Sequence, residues 1–253
     1  MILGRRRLAS IAVPRYHKCV KRLLLLTDSL GMPRVNIGID DVWTDKILSR
    51  YHDQYVIYTC LEKSLSVKDI WDRAYDLFIL DKPNVAVIQV GVCDASRRAL
   101  PLAVIRTLKY FPRVGGVVHR FANKHHYRLS QLFNWHYASP AEFEWHIRTF
   151  VGMLRDHGCQ DFAMIRIGPV GGHMAEVTFH VSADVARYNG ILQRLSQELG
   201  FTLLDPYGSL SAKDPDFDDY ILPDGHHLTA KGNGVVFDCV DKYLAQLDPG
   251  PVA

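Results

Sequence analysis

The chain has 253 residues, 48% of them hydrophobic, and a formal net charge of +3, which suits one large α/β unit or two small ones. No apolar run approaches the roughly 20 residues of a membrane span, and so mild a positive balance does not point to nucleic acid. The five cysteines are scattered, without a Cys-x-x-Cys pair or a His/Cys grouping at zinc spacing, and so read as reduced thiols of a cytoplasmic protein.

Residues 1–21 carry Arg5, Arg6, Arg7, Arg15, Lys18 and Lys21 and no acid. The apolar stretch Leu8–Val13 is short and Pro14-Arg15 ends it, so this segment reads as a basic, partly ordered tail rather than a secretory signal. Leu23–Leu26 is an apolar run of buried parallel-strand type, stopped by Thr27-Asp28-Ser29 and by Gly31 and Pro33. From Asp41 to Tyr51, Val42, Trp43, Ile47, Leu48 and Tyr51 recur at helical spacing behind Asp40 or Asp41. Tyr55–Thr59 reads as a strand, and Ser66–Asp69 as a helix start with apolar positions running from Ile70 to Leu80. Asn84–Val90 is a second buried strand that ends at Gly91, and Ala99–Phe111 has a helical pattern.

Residues 112–138 break this rhythm. They hold Arg113, Arg120, Lys124, Arg128 and four histidines among Phe121, Tyr127, Phe133, Trp135 and Tyr137, with no acid. The segment reads either as a lid or arm that meets an anionic or sugar-like ligand by stacking and charge, or as a solvated insertion on the sheet edge. A helix then starts at Ser139-Pro140-Ala141-Glu142, with cap, proline and acid in sequence. Phe162–Ile167 is a strand, Val185–Leu199 a helix closed by Gly200, and Phe201–Leu204 a strand. The acidic loop Asp214–Asp219 leads to Asp224–His227, and Ala230–Leu247 forms the last helix. This alternation predicts a three-layer α/β/α sandwich around a central parallel five-stranded sheet, as one domain over residues 22–248.

Two segments carry chemistry. Ser29 follows the first strand, at the sheet edge where open α/β folds put their ligands. Asp224 lies three residues before His227, with Gly225 allowing a bend, so that its carboxylate can reach one imidazole nitrogen while the other faces Ser29. A serine hydroxyl is a poor nucleophile without such a base. His226, two residues from Asp224, is expected to point elsewhere. Read without that pairing, Pro-Asp-Gly is a turn and the histidines are surface residues.

Thr27-Asp28-Ser29-Leu30, Gln89-Val90-Gly91-Val92-Cys93-Asp94 and Asp224-Gly225-His226-His227 resemble, in order and spread, the first, third and last blocks of the SGNH (GDSL-type) hydrolases. The resemblance implies a flavodoxin-like α/β/α fold and a catalytic triad of Ser29 nucleophile, His227 base and Asp224 carboxylate, with no metal or organic cofactor. Thr27 replaces the leading glycine of the first block, and two further departures bear on the chemistry. Cys93 stands where the family has an oxyanion-hole asparagine, and a thiol is a weak donor. Ser64 takes the place of a second-block glycine. The oxyanion hole is therefore expected to draw on Ser29, Ser64, Gly91 and Cys93. The shorter motifs Thr-Asp-Ser-Leu-Gly-x-Pro-Arg and Gln-Val-Gly-x-x-Asp also resemble SGNH proteins of bacterial polysaccharide biosynthesis, which implies an O-acyl group on a sugar as substrate. Asp28, Arg34, Asp94 and Arg97 are the expected substrate contacts. For Arg34 and Arg97 a salt bridge to Asp28, Asp94 or another loop acid is the alternative. An O-acyltransferase and a non-catalytic glycan-binding module remain the rival functions.

Overall fold

The computed structural model describes residues 21–75, 79–208, 210 and 217–247. Residues 1–20 of the basic tail, half of the acidic loop, and part of the apolar run from Ile70 to Leu80 lie outside the described residues. Five parallel strands build the sheet: β1 (Lys21–Thr27), β2 (Tyr55–Leu61), β3 (Val85–Gln89), β4 (Asp161–Ile165) and β5 (Thr202–Leu204). Their order is β2-β1-β3-β4-β5. This bears out the expected α/β sheet and its flavodoxin-like order, in which the topological switch point lies between β1 and β3.

Strand side chains alternate between the two sheet faces. Leu24, Leu26, Ala86, Ile88, Phe162 and Met164 face one way and pack under α2 (Val67–Asp72), α7 (Pro140–Asp156) and α9 (Val181–Leu199). Leu23, Leu25, Val85, Val87, Ala163 and Ile165 face the other and pack against α1 (Trp43–Tyr51) and α10 (Ala230–Leu247). Burial on both faces is why these strands read as continuous apolar runs rather than alternating ones. Each fully buried Leu or Ile contributes roughly 1.5–3 kcal/mol of transfer free energy.

Local signals set the helix ends. Ser139 accepts from the Glu142 N–H and Glu142 returns a bond to the Ser139 N–H, with Pro140 at the first helical position. Ser66 and Asp69 form the same reciprocal cap on α2. Gly200 closes α9 at φ 64°.

Residues 112–138 depart from the sequence expectation of a break in regular structure. They include the helices α5 (Pro112–Lys124) and α6 (His126–Leu132), which follow α4 (Leu102–Leu108). On α5 the residues turned inward are the small Gly115 and Ala122, whereas Val114, Val117 and Phe121 face outward. An inverted pattern of this kind carries no core-facing stripe to betray the helix. Two short helices, α3 (Val92–Ala95) and α8 (Gly172–Val177), likewise had no sequence signal.

Candidate active site

The chain turns at the carboxyl ends of β1 and β3, and both turns open on the same crevice. After β1, Asp28 caps a one-turn 3-10 helix at Ser29–Gly31, its Oδ1 accepting from the Leu30 N–H at 2.9 Å. Ser29 is thereby presented at the sheet edge. The loop before α10 brings His227 to it across 198 positions, with Ser29 Oγ 3.0 Å from His227 Nε2. On the far side of the ring, His227 Nδ1 lies 2.7 Å from Asp224 Oδ2. Asp224 Oδ1 also accepts from the His227 N–H at 3.1 Å and the His226 N–H at 3.2 Å, so the carboxylate is locked before it meets the ring.

Electrostatics suit a proton acceptor. Burial holds the His227 imidazole below its ordinary range, and the Arg34 charge adds to this while Asp224 opposes it. Burial pushes the Asp224 carboxyl up, but the hydrogen bonds from His227 and His226 outweigh it and keep the carboxyl below the usual range. Near neutral pH the ring is therefore uncharged and the acid ionised. The arrangement can take a proton from a hydroxyl at Nε2 and steady the resulting imidazolium. Asp224, His226 and His227 also bring ligand-type atoms within 4.8 Å of one another, but both His227 nitrogens are already engaged by Ser29 and Asp224.

These groups line a cavity of about 390 Å³. A larger hollow of about 660 Å³ beside Gly168 and Tyr207 has none of the three among its described walls. Of the residues singled out from sequence, Ser29, Arg34, Ser64, Cys93, Arg97, Asp224 and His227 line the smaller cavity. Arg34 is held by a two-way backbone bridge to Ile37, and its guanidinium donates to His227 Nε2 and, at 3.4 Å, to the Ser29 carbonyl. Ser64 adopts φ 60°, the left-handed region that favours glycine. This conformation fits the place a family glycine was expected to hold. Among the described residues the backbone N–H groups of Ser29 and Ser64 have no partner. Burial pushes the Cys93 thiol up to about 12, so it stays protonated and keeps its S–H as a weak donor.

The placement of five residues corrects the expectation. Asp28 and Asp94 are fully buried and are not cavity walls. Asp28 is the cap of the turn at Ser29, and Asp94 accepts from the Val67 N–H at 3.2 Å, tying α3 to α2. Gly91 is buried too; its φ of 114° makes the turn into α3, and a Cβ there would lie 2.8 Å from Ile167 Cδ1. His226 does not point elsewhere: its ring lies 3.9 Å from that of His227 and lines the cavity, with burial lowering it to about 4. Arg97 reaches the cavity, yet its guanidinium is clamped on Asp184 at 2.7 and 3.4 Å, the salt-bridge alternative realised with a helix acid. Its neighbour Arg98 lines the same cavity, stacked 4.0 Å over Tyr137 and donating to the Cys93 carbonyl. Lys63, His126 and His173 join it from three separate loops and helices, and nothing local in the sequence could have grouped them.

Asp28 gives a test of how this turn is built. Burial raises its carboxyl from 3.8 to about 7, against the Leu30 hydrogen bond and the Arg34 charge. The unfolded chain loses this proton near 3.8 and the folded chain only near 7, so stability falls as pH rises through that window. Asp28→Asn, which keeps a capping oxygen, is expected to gain stability relative to the parent between pH 4 and 8, read as a pH-dependent difference in Tm.

The model of the GDSL-like lipase/acylhydrolase family matches residues 38–235, most of the chain. The chain belongs to this family. The match begins beyond Ser29 and includes Asp224 and His227. Membership bears out the expected SGNH resemblance and the expectation of a carboxylic ester hydrolase. No curated protein matches the chain in sequence. Solved structures do match this family member in fold. A lipase/acylhydrolase from Enterococcus faecalis has a TM-score of 0.62 at 14% identity, covering 89% of this chain and 96% of its own. The acetyl xylan esterase AlAXEase has a TM-score of 0.61 at 15% identity, covering 88% and 99%. A catalytic mutant of an acetylxylan esterase from Geobacillus stearothermophilus has a TM-score of 0.58 at 12% identity, covering 88% and 93%.

Proposed function

We propose that this GDSL-family chain is a serine esterase that removes a small acyl group, acetyl by analogy with the acetylxylan esterases of the same fold, from a carbohydrate through an acyl-enzyme. The observation that carries the reading is the continuous chain Ser29 Oγ, His227, Asp224, at 3.0 and 2.7 Å. Ser29 Oγ attacks the ester carbonyl carbon as Nε2 takes its proton. The oxyanion accepts hydrogen bonds from the N–H groups of Ser29 and Ser64 and from the Cys93 thiol. The imidazolium returns the proton to the departing sugar oxygen. Water, deprotonated by the same ring, then attacks the acyl-enzyme, and the carboxylic acid leaves as the proton goes back to Ser29.

Arg34 has a second part to play. Its bond to Nε2 competes with Ser29, so it must withdraw for the ring to act. An anionic group on the sugar would draw it off, and Lys63 and Arg98 add to the positive wall that favours such a substrate. The four described cysteines are free, which supports a reducing, cytoplasmic setting.

Acetylated oligosaccharides, neutral and uronate-containing, provide the test. Free acetate should form, faster from the uronate substrate, and the acid-side fall in kcat/KM should come below the ordinary imidazole range, because burial lowers His227. Acetyl appearing on an added sugar acceptor in place of free acetate would establish the acyltransferase instead. Absence of both products would return the chain to a glycan-binding role.

A further inference from the structure

Helix α5 presents a face that the ester chemistry does not use. Val114, Val117 and Phe121 stand 58–60% exposed along it, and Tyr110 and Phe111 continue the apolar stripe from the turn before. On 100° spacing, Arg113, Arg120 and Lys124 form a second stripe directly beside the first. All three are exposed and, with Lys109 and Arg128, form no ion pair among the described residues. No acid occurs between Asp94 and Glu142. The opposite side of the helix, at Gly115 and Ala122, is buried, with Gly115 against Leu108 of α4. A 13-residue helix is about 20 Å long, so apolar and cationic stripes run side by side over that length.

We infer that α5 and the preceding turn lie on an anionic lipid surface, the apolar stripe dipping into the headgroup boundary and the cations meeting lipid phosphates. Charge selects this occupant. A second copy packed through the same face would oppose like charges, and residues 1–21 of the chain bring six further cations and no acid. The described residues contain no helix long and apolar enough to cross a membrane, so the attachment is peripheral. It also has a direction. The joint between α5 and α6 carries His126, whose Nδ1 lies 2.8 Å from the Val177 carbonyl and whose ring lines the catalytic cavity. A docked α5 therefore holds the cavity beside the bilayer, where an ester on a lipid-linked glycan would be within reach.

Sedimentation with vesicles tests the surface independently of the esterase reading. The full chain should pellet with vesicles containing about one-third phosphatidylglycerol and stay in solution with phosphatidylcholine alone. Salt at about 0.5 M should release it. Phe121→Glu and the double change Arg120→Glu with Lys124→Glu should each weaken partitioning at least about tenfold, with circular dichroism, Tm and hydrolysis of a water-soluble acetyl ester unchanged. Val117→Ser serves as a milder apolar variant should Phe121→Glu perturb the fold. Equal pelleting with both lipids, undiminished binding of the variants, or self-association broken by Phe121→Glu without vesicle binding would overturn the proposal.

Discussion

Ser29→Ala is expected to lower kcat for acetyl ester hydrolysis by on the order of 10⁴-fold or more, the scale at which nucleophile losses act in serine hydrolases. Thermal stability should change little, because the hydroxyl makes one hydrogen bond, worth about 1 kcal/mol net. A fluorophosphonate probe should label the parent and not the variant. Asp224→Asn should cost about 10⁴-fold while leaving the serine in place, because an amide cannot hold the ring in the tautomer that leaves Nε2 free to accept. Full activity in Ser29→Ala would remove the proposed mechanism outright, whatever the fold.

The second large effect is expected at Gly225→Ala. The residue sits at φ 89°, and a Cβ built there would lie 1.8 Å from the Gly171 carbonyl oxygen and 2.8 Å from the Met174 nitrogen. These are backbone atoms and cannot swing aside. The loop is clamped there by bonds from the Gly171 N–H to the Gly225 carbonyl and from the Gly225 N–H to the Leu222 carbonyl. The methyl must push the two segments apart, a loss of about 3 kcal/mol or more and a drop in Tm of roughly 6–12 °C. Because Asp224 and His227 flank the glycine, activity should fall with it, by misplacing the base rather than removing it. Gly190→Ala, in the middle of α9 with nothing within 4 Å of the added carbon, is the matched control and should be neutral or slightly stabilising. Equal Tm values for the two variants would refute this account of the loop.

Much of the architecture could be read from the chain because its signals are local. The apolar runs at Leu23–Leu26 and Asn84–Val90, the reciprocal caps at Ser66 and Ser139, and Gly200 each depend on a handful of neighbouring residues. The Asp224–His227 pairing was legible for the same reason, its partners being three positions apart. The helices within 112–138 were not, because the usual marker of a helix is an inward apolar stripe and α5 turns its stripe outward.

The sequence by itself determined the strand–helix alternation, the family blocks, and the residue types at Ser29, Asp224 and His227. Only the tertiary structure decided which polar groups face the crevice. It turned Asp28 and Asp94 inward to hold backbone N–H groups, tied Arg97 to Asp184, laid His226 against His227, and gathered Lys63, Arg98, His126 and His173 around one cavity. The physical reason is range. Caps and strand periodicity act within a few residues along the chain, whereas burial and charge pairing depend on segments that meet only when the sheet has assembled.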